Sequence, residues 1–342
     1  MSRVLVAMSG GVDSSVAAAL LVEAGHEVAG VTLKLWGGPQ DQGCCSVSDV
    51  DDARRVAQQL GIAHYVFNYG ELFERSVVTP YVDAHRSGLT PNPCVECNRH
   101  VKFDALLDRA NRLGFDRLAT GHHCRIGSSG AEATLLRGSD PAKDQSYVLY
   151  MLSESDLQRL SFPVGDLTKD EVRARARELG LRTADKADSQ DVCFVTDQAG
   201  RSGFLSDRIS LHQGEVVDLD GNLIGAVPAV ELVTTGQRKG LGLGGHPDRR
   251  YVVSVDVPRR RVTAGVARDL LTDRQELRDH RWVGSPVIGP VAVQTSAHGA
   301  SADGELDQSG HLSWRVPNRR VAPGQAVVFY TGDRLLGGAL AT

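Results

Sequence analysis

The sequence predicts an α/β N-terminal part built on a doubly wound parallel sheet, followed by a small mainly-β central unit and a C-terminal β-barrel. Three observations lead there. Apolar runs rich in β-branched residues alternate with helical runs up to about residue 205. A glycine-rich turn lies directly between the first strand and the first helix. Beyond about Ser206 helical periodicity fades, and short strands separated by Gly, Pro and Asp take over.

Taken in order, "RVLVAM" reads as a buried strand and "VAAALLVEAG" as a helix closed by Gly25 as its C-cap. "EVAGVTLKLW" completes a βαβ unit, and the pattern repeats. "SDVDDARRVAQQLG" is a helix capped by Ser48 or Asp49, followed by the strand "AHYVFN". "KFDALLDRANRLG" is a helix, "FDRLATGHH" a strand, and "SYVLYML" a further strand. Thr168 and Glu171 are spaced as a capping box for the helix "KDEVRARARELG". In the β region, "GEVVDLDGNLIGAV" carries the hairpin signal Asp220-Gly221, and "YVVSVDV" and "RVTAG" follow. "WVGSPVIGPVAVQT" and "QAVVFYTGDRLLGGALA" suggest a barrel or sandwich, with "HGASADGELDQSGH" between them reading as loop. The implied units are 1–205, 206–271 and 272–342.

The chain has 342 residues, 41% apolar and 23% charged, an ordinary composition for two or three globular units. No apolar stretch approaches the ~18 residues a membrane helix needs. The N-terminus does not read as a signal peptide, so no membrane partner and a cytoplasmic location are expected. A net charge of −4 argues against a general polycation. Locally, however, Arg238, Lys239, Arg249, Arg250, Arg259, Arg260 and Arg261 face only Asp248 and Asp256, a stretch compatible with phosphate binding or with a solvated basic face. Six cysteines in such a chain favour thiol or metal chemistry over a disulfide framework.

"SGGVDSS" (Ser9, Gly10, Gly11, Val12, Asp13, Ser14, Ser15) stands where an α/β sheet binds phosphate, because backbone N–H groups and the helix N-terminus point at the anion. It lacks the Lys-Ser/Thr ending of a Walker loop and the spacing of a dinucleotide fingerprint. Asp13 is odd in a pure anion site and would orient the loop or help hold Mg²⁺. The motif resembles the signature of the ATP pyrophosphatases, which cleave ATP between the α and β phosphates and transfer AMP to an acceptor.

"PNPCVECNRHVKF", "ATGHHCR", "KDQSYVLY", "DSQDVCF" and "TTGQRKGLGLGG" narrow the resemblance to the bacterial tRNA-specific 2-thiouridylases, along the whole chain. It implies an adenine nucleotide α-hydrolase-like fold, ATP and Mg²⁺ as cofactors, tRNA as substrate, and a cysteine desulfurase or sulfur-relay protein as donor, with the chain acting as a monomer. It implies further that the C2 oxygen of the wobble uridine attacks the α-phosphate of ATP, and that a persulfide on Cys193 displaces AMP. Cys97 would then cleave the sulfur–sulfur bond, leaving a disulfide. By motif match, ATP would touch Ala7, Met8, Ser9 through Ser14, Leu33 and Gly121. Lys143, Asp144 and Gln145 would meet tRNA, and Asn92, Pro93 and Cys94 would face the target base. A helix start and Arg99 close to Cys97 would favour its thiolate.

Position 94 departs from the family pattern, in which Asp is common. Cys94, Cys97 and Cys193 could therefore hold a [4Fe-4S] cluster with one open iron that binds sulfide. A zinc site wants four ligands, and only Cys124 or His122 and His123 could complete one. Vicinal Cys44 and Cys45 read as packing. The competing reading is an adenylating synthetase for a small metabolite, which leaves the cysteines and the basic stretch idle.

Overall fold

The structure, a computed structural model, describes residues 1–35, 47–130, 132–188, 192–195, 200–243 and 248–342. Cys44 and Cys45, Ser189–Asp191 of the "DSQDVCF" motif, and Gly244 and Gly245 lie outside the described residues.

The N-terminal part opens with β1 (Arg3–Ala7), α1 (Val12–Glu23), β2 (Glu27–Lys34), α2 (Val47–Gln59) and β3 (Ala63–Asn68). Next come α3 (Gly70–Phe73), a π-helical turn Glu74–Val78 and α4 (Thr79–Arg86). A second composite helix joins α5 (Pro93–Glu96), a π-helical stretch Cys97–Ala105 and α6 (Leu106–Arg112). Then follow β4 (Arg117–Thr120), the hairpin β5 (Cys124–Ser129) and β6 (Glu132–Arg137), α7 (Glu154–Leu157), β7 (Leu160–Ser161), α8 (Lys169–Glu178) and α9 (Gly200–Ser206).

The parallel sheet has the order β3-β2-β1-β4-β7. β1 is buried on both faces, which is why its sequence is apolar without alternation. Leu5 enters one core with Val31, Phe73, Val101 and Phe103, contributed by the α3–α6 side. Val4 and Val6 enter the other, with Val16 of α1, Val56 of α2 and Val172 of α8. The chain turns outward from β1 in both directions, so the crevice at the carboxyl ends of β1 and β4 is the topological switch point where such sheets bind ligands. The Thr168–Glu171 capping box forms as expected, with the Glu171 carboxylate accepting the Thr168 N–H at 2.7 Å.

The central sheet, order β10-β11-β8-β9, comprises β8 (Gly214–Val217), β9 (Leu223–Val227), β10 (Tyr251–Asp256) and β11 (Arg261–Gly265). Its first hairpin turns at Asp220-Gly221, where Asp218 Oδ1 accepts the N–H groups of Asp220 and Asn222 and Gly221 takes a φ of 88°. The C-terminal sheet comprises β12 (Leu271–Gln275), β13 (Leu277–Trp282), β14 (Gly289–Gln294), β15 (Ala302–Leu306), β16 (Leu312–Arg319), β17 (Ala326–Thr331) and β18 (Arg334–Ala341).

Four expectations need correcting. The first is the α2 cap: the helix already includes Val47, so Ser48 and Asp49 lie inside its first turn. "SYVLYML" is no strand: Ser146–Leu149 form a 3-10 turn, pinned to the C-terminal sheet by the Tyr147 hydroxyl donating to the Ala326 carbonyl at 2.8 Å. Part of "HGASADGELDQSGH" is β15, whose Gly304 and Leu306 are buried while Asp303 and Glu305 are exposed; with so few large residues the period-two pattern is faint. The N-terminal β5–β6 hairpin also joins the C-terminal sheet, β6 pairing with β18 through Leu135 opposite Leu335.

His85 of α4 is buried between the Tyr81 ring and the Glu231 carbonyl. Burial, helped by the Arg201 charge, lowers its pKa from 6.5 to about 4. The unfolded chain therefore takes up this proton first as pH falls, so the contribution is complete above pH 6.5 and is lost progressively toward pH 4. Urea titrations at pH 7 and pH 5 are expected to differ by roughly 2 kcal/mol on this account. His85→Leu is expected to remove that part of the slope; an unchanged slope would contradict the assignment.

Candidate active site

The loop after β1 is shaped by what cannot carry a side chain. Gly10 has a φ of 76°, and a Cβ there would lie 2.3 Å from the Asp49 carbonyl oxygen of α2. Gly11 is the N-cap of α1 and supplies no side-chain cap, leaving the first-turn amides to an incoming anion. The Ser14 and Ser15 hydroxyls donate to the Gly11 carbonyl at 3.2 and 2.8 Å, and the Ser9 N–H donates to Ser14 Oγ at 3.2 Å. From β4, Gly121 closes in: a Cβ there would meet the Ser14 nitrogen at 2.6 Å. Ala7 ends β1, Met8 is buried behind the loop with its N–H on the Val31 carbonyl at 2.8 Å, and Val12 anchors α1 in the core. Leu33 is buried near the end of β2, opposite Phe67. The residues expected to meet ATP thus converge at the switch point, except that Leu33 and Val12 are core residues first.

The flank of this loop is charged, through Lys169, which the sequence reading missed, and His123, which it considered only as a zinc ligand. Lys169, at the start of α8, donates to both Asp13 oxygens at 2.8 Å, and His123 Nε2 lies 3.1 Å from Asp13 Oδ1. Burial alone would raise the Asp13 pKa, but the hydrogen bonds from His123 and Lys169 outweigh it and hold the carboxyl below its ordinary value. Lys169 Nζ also reaches Asp188 at 2.9 Å, and Asp188 is gripped by Lys143 and Arg173 at 2.8 Å each. One signal was available: a lysine in the first turn of a helix opposes the helix dipole and so implies another partner.

The "KDQ" segment divides. Lys143 is partly exposed and pairs with Asp188 at 2.8 Å. Asp144 is buried, accepting from Arg137 at 2.9 Å and from the Gly138 and Ser146 N–H groups at 3.0 Å. Its carboxylate is committed to holding this loop, so a direct RNA contact is not the role its surroundings suit. Gln145 Oε1 accepts the His123 N–H at 2.9 Å, which positions the imidazole on Asp13.

The cysteine segment begins earlier than expected. The helix starts at Pro93 with Asn92 as its cap, whose side chain accepts the Cys94 N–H at 3.1 Å. Pro93, with no N–H to lose, suits this first position. Cys97 is consequently one turn inside, where the helix widens into the π-helical stretch, a distortion frequent at functional sites. The helix start therefore faces Cys94 rather than Cys97, and Arg99 pairs with Glu96 at 3.4 Å. Asn98 fixes the wide turn by donating to the Val148 carbonyl at 3.1 Å.

Cys193 follows Val192, a β-branched residue at a φ of 56°, which is a strained backbone. Phe194 on its other side is buried, edge-on to Phe73 and Tyr81 and tilted against Phe204, with centroids 5.7, 5.3 and 5.1 Å away. Cys97 and Cys193 are each half-buried and pack on the same apolar cluster. Tyr81 also lines a cavity of ≈130 Å³ bounded by Asn92, Pro93, Glu96, Arg278 and Leu340. Cys124 is fully buried, and its thiol is pushed well up by burial, which does not suit a nucleophile. Among the described residues no three His, Cys, Asp or Glu side chains converge as a metal would require. The zinc and cluster expectations therefore have no matching arrangement here, Cys94, Cys97 and Cys193 included.

Known proteins resemble the chain along its length. The family described as tRNA methyl transferase HUP domain matches residues 2–197, its PRC-barrel domain 202–265, and an aminomethyltransferase beta-barrel domain 278–341. The tRNA-specific 2-thiouridylase MnmA of Chloroflexus aurantiacus is 48% identical, covering 99% of this chain and 98% of its own. That of Geobacter metallireducens is 44% identical over 98% and 95%. Among solved structures, a 4-thiouridine synthetase–RNA complex with bound ATP is 18% identical over 56% of this chain and 45% of that one, with a TM-score of 0.38. Identity of this degree from end to end, over a chain that carries the Ser9–Ser15 loop and both cysteine segments, places the protein: it belongs to the tRNA-specific 2-thiouridylase family.

Proposed function

We propose that the chain is a tRNA-uridine 2-sulfurtransferase that activates the wobble uridine with ATP and replaces its C2 oxygen with sulfur from Cys193. The observation that carries this reading is the coexistence of a phosphate cradle between Gly10 and Gly121 with two half-buried cysteines on one apolar cluster. A synthetase for a small metabolite would need the cradle but neither cysteine. Residues 1–205 do the chemistry, while 206–271 and 272–342 provide RNA-facing surface.

The α1 amides and the Ser9 and Ser14 hydroxyls bind and orient the phosphates of ATP. Mg²⁺ would enter on those phosphates, since the described residues offer no acidic cage and Asp13 is engaged by Lys169. The uridine C2 oxygen attacks the α-phosphorus and pyrophosphate leaves. The terminal sulfur of a Cys193 persulfide then attacks C2, and AMP departs with the oxygen. The Cys97 thiolate attacks Cys193 Sγ, leaving the outer sulfur on C2 and a Cys97–Cys193 disulfide, which two electrons from an external thiol reductant restore. Asn92 and Pro93 border the space for a base taken out of its stack, and Lys143 meets an RNA phosphate. One chain carries every group used, so a cytoplasmic monomer suffices.

The test is incubation with unmodified tRNA, ATP, Mg²⁺, cysteine and a cysteine desulfurase. The expected result is 2-thiouridine and pyrophosphate in equal amounts. Pyrophosphate release that ignores tRNA but requires a small acid would favour the synthetase reading instead.

A further inference from the structure

Sulfur transfer through Cys193 and Cys97 leaves the third thiol of these segments, Cys94, without a task. All three are half-buried. Cys97 and Cys193 pack on one apolar cluster, which also holds Phe73, Tyr81, Phe194 and Phe204. A disulfide formed there sits where an external reductant approaches poorly. Cys94 is placed differently. Asn92 has an extended backbone and its side chain accepts the Cys94 N–H at 3.1 Å, so Cys94 stands in the first turn of the helix. From Pro93 to Glu96 the helix is α, and Cys97 keeps α backbone angles, with a φ of −62° and a ψ of −46°. Residues three apart in such a helix lie on one face, with Cα atoms about 5 Å apart. A disulfide accepts Cα separations of about 4.4–6.8 Å. Cys97 therefore has two thiols to exchange with: Cys193 on the apolar cluster, and Cys94 one turn back along its own helix.

We propose that Cys94 is a resolving thiol, which converts the Cys97–Cys193 disulfide into a Cys94–Cys97 disulfide and returns Cys193 as a thiol for its next sulfur. This goes beyond the sulfur-transfer reading above and rests on it. The Cys94 thiolate attacks Cys97 Sγ, and the Cys97–Cys193 bond breaks. Cys193 leaves as a thiolate and takes up the proton that Cys94 released, so the exchange involves no net oxidation. An external dithiol of the dithiothreitol class then supplies two electrons and two protons to the Cys94–Cys97 bond, beside the cavity bounded by Asn92, Pro93 and Glu96. A Cys-x-x-Cys spacing at a helix start favours the attacking thiolate. The persulfide carrier is thereby reloaded without waiting for a reductant to reach the apolar cluster.

The experiment maps disulfides in the full chain without tRNA, ATP or a sulfur source. Reduced protein is oxidised with an equimolar amount of diamide, quenched in acid, alkylated and read by peptide mass spectrometry. The expected map joins Cys94 to Cys97 and leaves Cys193 alkylated. Cys94→Ser is expected to show the Cys97–Cys193 bond in its place. A map of the unaltered chain in which Cys94 and Cys97 are not joined, or a Cys94→Ser map without the Cys97–Cys193 bond, would overturn the proposal. In thiolation with limiting dithiothreitol, Cys94→Ser is expected to lose about tenfold more rate in the steady state than in the first turnover. Equal losses in the two regimes would also overturn it. Thermal unfolding checks that the variant keeps its fold, and Cys94→Ala is expected to show the same split. Both maps as expected, in a chain that forms no 2-thiouridine, would strike the sulfur-transfer reading and leave the exchange standing.

Discussion

Cys193→Ser is expected to lower thiolation of tRNA by about a thousandfold or more, because the serine hydroxyl cannot carry sulfane sulfur. Pyrophosphate release in a single turnover is expected to survive, since the phosphates are held by the Gly10–Gly121 cradle and the adenylation step needs no sulfur. Cys97→Ser separates the two thiol roles. Its reaction is expected to stop after attack on C2, with the uridine joined to Cys193 through two sulfurs. A denaturing gel would then show a protein–tRNA adduct that dithiothreitol releases as thiolated tRNA. Loss of pyrophosphate release in Cys193→Ser, or an adduct that resists reductant, would contradict the division of labour. Since both cysteines are only half-buried, neither change should cost more than about 1 kcal/mol of stability.

Gly10→Ala is expected to weaken ATP binding about a hundredfold, some 2.7 kcal/mol. Two causes act together. A non-glycine residue in the left-handed region costs roughly 1–2 kcal/mol. The added Cβ would also lie 2.3 Å from the Asp49 carbonyl, so either the loop or α2 must move. Asp49 cannot yield freely, because Lys186 bonds it at 2.7 Å and Asp52 at 2.7 Å, bracing the start of α2. Gly25→Ala is the control. It has nearly the same φ of 77° at the C-terminus of α1, but its Cβ would meet nothing within 4 Å. It should lose about 1 kcal/mol of stability and no ATP affinity. Equal effects at the two positions would mean that backbone strain alone, not the fit of loop to helix, decides binding.

The parallel sheet was legible because β1 buries both faces and so writes an unbroken apolar run, and because the glycine loop falls where β1 must hand over to α1. The cysteine pair was legible as chemistry but not as geometry. The Asn92-Pro93 pair is a cap-and-first-position signal that the reading passed over, and it carries the helix start away from Cys97 to Cys94. Lys169 escaped notice for a different reason, and Asp188 was read only as the first residue of "DSQDVCF". Each reads as an ordinary surface charge, and their meaning comes from Asp13, 156 residues before Lys169. Asp144 misled in the opposite sense, since a charged residue in a polar segment looks solvent-facing until Arg137 and two backbone N–H groups are seen to enclose it. The union of β6 with β18 depends on pairing across nearly two hundred residues, which no local pattern encodes.

The central claim is that AMP is placed on the tRNA in the loop cradle before sulfur from residue 193 arrives. The most direct measurement is transfer of label from ATP carrying ³²P at the α-phosphate to tRNA by Cys193→Ser, in a single turnover quenched before hydrolysis. Label migrating with the tRNA, in step with released pyrophosphate, is the predicted result. Pyrophosphate released with the label confined to free AMP from the first time point, or no turnover at all without Cys193, would contradict it.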